Sequence, residues 1–226
     1  MRERVVLATA NPDKAREITD ILGTARPDLV FVPRPTDVAD VEETGDTLAE
    51  NARLKASALA DATGLPAIAD DTGLVVDALG GAPGVHSARY AGEDATYAEN
   101  VAHLLSQLAR AGADEKAART AVFATVVLVR WPDGREVAAT GEVSGTIAAE
   151  GRGSEGFGYD PVFVPEEGDG RTFAEMTPAE KNALSHRGRA LRTLAEGLRV
   201  VAVAEARNGD TADGETRDGA GGDDVR

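Results

Sequence analysis

The stretch from Pro66 to Gly92 places adjacent acidic side chains directly after an apolar run. Pro66-Ala67-Ile68-Ala69 reads as a short buried strand that stops at two adjacent carboxylates, Asp70 and Asp71, followed by Thr72-Gly73. Acid and hydroxyl groups are thereby expected at a strand's C-terminal end, where open α/β sheets bind ligands. Neighbouring ionised carboxylates repel, so a cation or a shared proton should relieve them. Mg²⁺ suits the pair, being a hard ion usually held by one or two carboxylates plus phosphates. Asp, Thr and Gly also form plain turns, and the pair alone does not separate the two uses.

Two lysines extend the same chemistry. Val5-Val6-Leu7-Ala8 is a short apolar strand, and Thr9-Ala10-Asn11-Pro12-Asp13-Lys14 follows at once. Asn11 is a good N-cap and Pro12 suits the first helical position, so a helix is predicted through Ile18, Ile21 and Leu22 to Gly23. A helix start directly after a strand offers free backbone N–H groups and the positive end of a dipole, an anion site to which Lys14 adds a full charge. An ordinary capped turn with a surface lysine has the same residues. The segment is not a Walker loop, because GxxxxGK[ST] is absent.

The second lysine is Lys55. Thr47 and Glu50 have capping-box spacing, which predicts a helix to about Ala62, stopped by Gly64. Leu48, Ala52, Leu59 and Ala62 define its apolar face, and Lys55 lies on that stripe one turn after Asn51. Lys55 either lays its stem along the apolar face or reaches phosphate. Glu42 or Glu43, just before the helix, would face the metal.

A third set lies between Gly151 and Ala190. Gly156-Phe157-Gly158-Tyr159-Asp160 interleaves glycines with two aromatics and an acid; Phe157 or Tyr159 is suited to stacking on a base. Phe163 and Phe173 fall at strand-like core positions. Thr177-Pro178 opens a helix carrying Lys181, and Ser185-His186-Arg187 opens the last helix, with Leu191, Leu194 and Leu198. This places donors and cations where a base edge or a phosphate would be read. A Ser-His hydrolase is excluded, since Ser185 and His186 are adjacent and no nucleophile elbow occurs.

The remaining elements must position these groups. Asp28 to Val32 is a second strand; Gly80 to Gly84 is a bend followed by a helical turn over Val85 to Tyr90. Asp94 to Ala111 is an amphipathic helix with Tyr97, Val101, Leu104, Leu105 and Leu108 at helical spacing, read as scaffold, with His103 on its surface or partly packed. Thr120 to Trp131 is a β-branched strand, Pro132-Asp133-Gly134 a turn, and Arg135 to Val143 the returning partner. The hairpin makes the sheet mixed, and residues 145–149 extend the meander.

At 226 residues the chain accommodates one well-packed α/β domain. Against 39 acidic residues there are 24 lysines and arginines, a formal charge of -15 that opposes binding to a nucleic acid polymer or an anionic membrane. An anionic ligand must therefore be held locally. Cysteine is absent, which removes disulfides, thiol nucleophiles and cysteine-held zinc; His86, His103 and His186 lack ligand spacing. No secretory signal and no membrane-length apolar run is present, so a cytoplasmic protein is expected. Residues 206–226, rich in Gly and Asp, read as a disordered acidic tail, leaving residues 1–205 as the domain.

LATANPDKAREI, EETGDTLAENARLKA, AIADDTGLVVDALGGAPGVHSARYAG, GFGYDPVF, TFAEM and EKNALSHRGRAL together resemble the inosine triphosphate pyrophosphatase family. Its members are the non-canonical purine nucleoside triphosphate pyrophosphatases, or XTP/dITP diphosphatases. The similarity runs from Val5 to about Leu198, with the blocks in the family's order and spacing. It implies an elongated, two-lobed α/β structure around a long mixed sheet flanked by helices, with the site in the cleft between lobes, commonly as a homodimer. It also implies that Thr9, Asn11, Lys14 and the backbone of Ala10, Pro12 and Asp13 hold a triphosphate. Asp71 would be catalytic base and magnesium ligand, Glu43 would join the metal shell, Thr72 would touch substrate, and Lys55 and Asp70 would support the site. Phe157, Gly158, Tyr159, Asp160, Lys181, His186 and Arg187 would enclose the purine of a small-molecule nucleotide. Ala10 replaces a more usual glycine, Thr72 a serine, and His86 an aromatic residue.

Overall fold

The structure, a computed structural model, describes the backbone of residues 2–214 and the side chains of residues 2–203. In chain order its strands and α-helices are β1 (Glu3–Leu7), α1 (Pro12–Ala25), β2 (Leu29–Val32), α2 (Leu48–Thr63), β3 (Ala67–Val76), β4 (Pro83–Gly84), α3 (Tyr97–Arg110), β5 (Thr120–Arg130), β6 (Glu136–Ile147), β7 (Phe163–Pro165), α4 (Pro178–Leu184) and α5 (His186–Gly214). The strands form one mixed sheet in the order β2-β1-β3-β5-β6-β7, with β4 also paired to β3. β1 runs parallel to β2 and β3; the other pairings are antiparallel.

Local chemistry sets the helix ends. Asn11 accepts from the backbone N–H groups of Asp13 and Lys14, and Thr47 and Glu50 form the reciprocal capping box of α2. Gly64, at φ 66°, closes α2 in the left-handed region that a side chain would disfavour. The buried face of α2 is Ala52, Ala56, Leu59 and Ala60; Ala62, expected on that face, is exposed because at 3.6 residues per turn it points about 100° away from the centre of that face.

Helices cover both faces of the sheet at one end. Ile18, Leu22, Leu191, Leu194 and Leu198 from α1 and α5 pack on Val5, Leu7, Ile68, Val127 and Val129. Ala52, Ala56 and Leu59 from α2 pack on Val6, Ala67, Ala69 and Leu128 on the opposite face. At the other end a separate cluster joins Leu104 and Leu108 of α3 to Leu74, Phe123, Val143, Phe163 and Phe173. These clusters give the chain two packed ends along one sheet.

The structure departs from expectation at four places. The strand opening at Ala67 does not stop before Asp70; β3 runs on to Val76 because all ten of its residues pair with β5, in a register that includes Asp70↔Val127 and Asp71↔Val126. β6 is one strand to Ile147 rather than a strand with a later extension, since it pairs with β5 along its length and then with β7. Phe173 is core but sits in a 3-10 turn, Phe173–Glu175, at whose start the Thr172 N–H donates to the Glu175 carboxylate at 2.7 Å. α5 continues to Gly214, into the segment assigned to the tail, and residues 215–226 lie outside the described residues.

Candidate active site

The continuity of β3 decides where its two carboxylates point. Successive side chains on a strand face opposite sides of the sheet. Asp70 therefore shares a side with Ile68 and meets α1 and α5, whereas Asp71 shares a side with Ala69 and meets α2. Asp70 Oδ2 accepts from Arg187 Nε and Nη2 at 3.1 and 2.9 Å and lies 3.3 Å from Lys14 Nζ. Asp71 Oδ1 accepts from Lys55 Nζ at 3.0 Å, and its Oδ2 from Asn51 Nδ2 at 3.3 Å. The pleat and separate cations thus relieve the repulsion between these neighbours.

On one edge, pairing of β3 with β1 ends at Leu7↔Ile68 and pairing with β4 starts at Leu74↔Gly84. Among the described residues no strand lies beside the intervening ones on that edge, and a cleft opens there. Asn11 and Lys14 of the loop into α1, with Glu43, Asp71 and Thr72, line one part of it. Phe157, Gly158, Tyr159, Asp160, Lys181, His186 and Arg187 line the rest. Thr9, Ala10, Pro12 and Asp13 stand beside the cleft rather than on its wall: Thr9 Oγ1 accepts from Asn11 N–H, and Asp13 pairs with Arg16 at 3.2 Å.

Of the two candidate acids before α2, Glu42 is exposed and Glu43 turns inward. Lys55 Nζ donates to Glu43 Oε1 at 2.8 Å as well as to Asp71, so one ammonium joins both carboxylates. Arg89 adds a cation 3.5 Å from Glu43. Lys55 and Asp70 stand behind the cleft wall, in contact with residues that form it.

The electrostatics divide these acids. Burial pushes the Asp71 carboxyl above its ordinary range, and nearby Glu43 reinforces this against the pull of Lys55 and Lys14. For Glu43 burial acts in the same direction, but Lys55, Lys14 and Arg89 outweigh it and hold the acid below its usual range. Burial likewise opposes ionisation of Asp70, yet Lys14, Arg187 and Lys55 hold it far below the carboxylate norm. Lys14 is drawn below the ordinary lysine value by burial, with Lys55 and Arg187 adding to the effect. Carboxylates driven apart in this way take different protonation roles.

The opposite wall is held by a buried ionic network. Lys181 Nζ donates to Asp160 Oδ2 at 2.6 Å and to Glu17 Oε1 at 2.7 Å, while Arg187 Nη1 donates to Glu17 Oε2 at 2.6 Å. Arg187 Nη2 also reaches Thr72 Oγ1 at 2.9 Å. Phe157 lies over both cations, 4.6 Å from Lys181 Nζ and 5.5 Å from the Arg187 guanidinium carbon. Its N–H donates to Asp160 Oδ2 at 2.7 Å, which fixes the loop. His186 stacks on Phe123 at 4.4 Å and 11°; its Nδ1 is buried without a partner, and burial keeps it neutral, well below the ordinary histidine value. Tyr159 is 4 % exposed and donates its hydroxyl to Ser87 O at 2.9 Å, so Phe157 rather than Tyr159 has a ring available to a ligand.

Sequence reasoning left out Glu17, Tyr97 and Arg89. Glu17 follows Lys14 by three residues, a spacing that puts both on one helix face, and this was the signal available. Arg89 and Tyr97 reach the site only through tertiary contacts, with Glu43 for Arg89 and with Asn11 for Tyr97.

Residues 5–197 match the model of the Ham1 family. A dITP/XTP pyrophosphatase of Streptomyces avermitilis is 49 % identical over 200 residues, covering 88 % of this chain and 98 % of the relative. A HAM1 protein from Coxiella burnetii superposes with a TM-score of 0.77 at 42 % identity, covering 87 % of this chain and 98 % of that one. The Staphylococcus aureus Ham1 protein gives a TM-score of 0.75 at 37 % identity with the same coverage. Family match, sequence identity and superposition agree over most of the chain, and the chain belongs to the Ham1 family.

Proposed function

We propose that the protein hydrolyses non-canonical purine nucleoside triphosphates, XTP, ITP and dITP, to the nucleoside monophosphate and pyrophosphate. The observation that carries this is the convergence of Glu43, Asp71 and Lys14 on one part of a cleft whose other part holds Phe157, Lys181, His186 and Arg187. The first set suits a triphosphate, the second a planar base with acceptor oxygens. The curated relative in Streptomyces avermitilis carries the name of this activity.

The donors fit Mg²⁺. Glu43 and Asp71 are hard oxygen ligands already gathered around one cation, the Lys55 ammonium. Among the described residues no group of three or more His, Cys, Asp or Glu side chains makes a closed metal cage. Mg²⁺ commonly uses one or two carboxylates and completes its shell with substrate phosphates and water. Glu43 and Asp71 would hold it, and it would supply charge neutralisation at the phosphate oxygens.

The chain's own groups account for the remaining steps. Asp71, with its raised proton affinity, orients the attacking water and takes its proton. Lys14, on the cleft wall, stabilises charge on the departing pyrophosphate, and Lys55 acts from behind the wall through Glu43 and Asp71. The donors near Phe157 favour a 6-keto purine, because a 6-amino group leaves them unpaired in a buried site. The proposal includes a homodimer as the assembled form.

Incubation with ITP and Mg²⁺, followed by separation of products, tests the reading. IMP plus pyrophosphate is expected, and chelation of the metal should stop turnover. IDP plus orthophosphate would defeat it.

A further inference from the structure

Tyr97 is the first residue of α3, following the Thr96 cap, and its side chain is 43 % exposed. An aromatic ring so exposed adds little to the core, yet this one is tethered on two sides. Its hydroxyl oxygen accepts from Asn11 Nδ2 at 2.8 Å, and its ring lies 5.9 Å from that of Phe157 at 41°. Asn11 Oδ1 is committed to the N–H groups of Asp13 and Lys14, so the amide is oriented with its donor toward Tyr97. All three residues line the cleft. Tyr97 therefore links the phosphate side, at the N-cap of α1, to the aromatic on the base side.

The geometry points to Tyr97 as a substrate-positioning residue, the second wall that clamps a purine against Phe157, latched to Asn11 until the base enters. This rests on the reading of the cleft as a purine nucleotide site. A planar base between two rings needs them roughly 7 Å apart and near parallel, since each contact takes about 3.5 Å. The observed wedge is narrower and tilted. Entry of the base then requires the Tyr97 ring to swing outward, and the hydrogen bond to Asn11 opposes that swing. Opening frees Asn11 Nδ2 at the helix start where phosphate is expected, so filling the base side prepares the phosphate side.

Two variants of the full chain separate the latch from the wall. Tyr97→Phe keeps the ring and cuts the latch, so the open form costs less to reach; KM for ITP should fall about threefold with kcat nearly unchanged. Tyr97→Ala removes both; KM should rise about tenfold, again with little change in kcat, because one stacking face is lost. Calorimetric binding of IMP should follow the same order without turnover. Both variants should melt within about 2 °C of the parent, since the residue is exposed. Parental KM and IMP affinity in Tyr97→Ala, in a protein that converts ITP to IMP, would overturn the clamp and leave the proposed activity standing. A parent that neither turns over ITP nor binds IMP would overturn both.

Discussion

The carboxylates of Glu43 and Asp71 are joined through one ammonium: Lys55 Nζ lies 2.8 Å from the first and 3.0 Å from the second. The groups come from different segments, a loop before α2 and the middle of β3, and α2 carries the lysine that unites them. The two carboxylates are thus already compensated by a side chain.

Replacing that lysine tests the arrangement. In Lys55→Met both acids lose their nearest positive charge while remaining partly buried, so both should bind protons more tightly. The acid limb of the kcat/KM profile should move to higher pH, and kcat/KM at pH 8 should fall about 100-fold. An unshifted limb would remove Lys55 from the electrostatics of Asp71.

Asp71→Asn keeps the shape but removes the basic carboxylate and leaves one oxygen to accept from either Lys55 or Asn51, not both. Turnover should fall by about 10³-fold or more while the circular dichroism spectrum stays that of the parent. Retained activity would take Asp71 out of its assigned role.

Arg187 serves three acceptors from one planar group, Asp70, Glu17 and Thr72. A lysine ammonium cannot span them, so Arg187→Lys should lose about 2–3 kcal/mol and lower the melting temperature by roughly 5–10 °C. Thermal melts by calorimetry would show it; a parental Tm would mean that the network bears little of the fold's stability.

His186 gives a pH prediction with a definite sign. Burial holds it neutral in the folded protein, well below its ordinary value near 6.5, while in the unfolded chain it titrates there. Below about pH 6.5 the unfolded state binds the extra proton, so this contribution to stability is present above that pH and is lost as pH falls toward the depressed folded value. The slope should approach about 1.4 kcal/mol per pH unit. His186→Phe retains an aromatic face toward Phe123, and urea unfolding at pH 7.5 and 5.5 should show a smaller pH difference for the variant than for the parent.

Much of the local structure was legible because short-range chemistry fixes it. Asn11-Pro12 and the Thr47–Glu50 box mark helix starts by supplying partners for N–H groups that lack them, and Gly64 marks an end where φ is positive. The chemistry of the site was legible in residue types: Lys14, Glu43, Lys55, Asp70, Asp71, Phe157, Lys181, His186 and Arg187 all line the cleft or touch its lining.

Tertiary structure alone decided how those residues divide. Asp-Asp-Thr-Gly has turn composition, and only the full antiparallel register with β5 makes it strand, sending Asp70 and Asp71 to opposite faces. Glu17 has only its i+3 spacing from Lys14 as a local sign, and Tyr97 has none that sets it apart from an ordinary helix residue; their partners, Lys181 and Phe157, are far away in sequence. Residue type and near spacing could name the acids and bases of this protein, but pairing each with its opposite required the sheet that brings distant segments together.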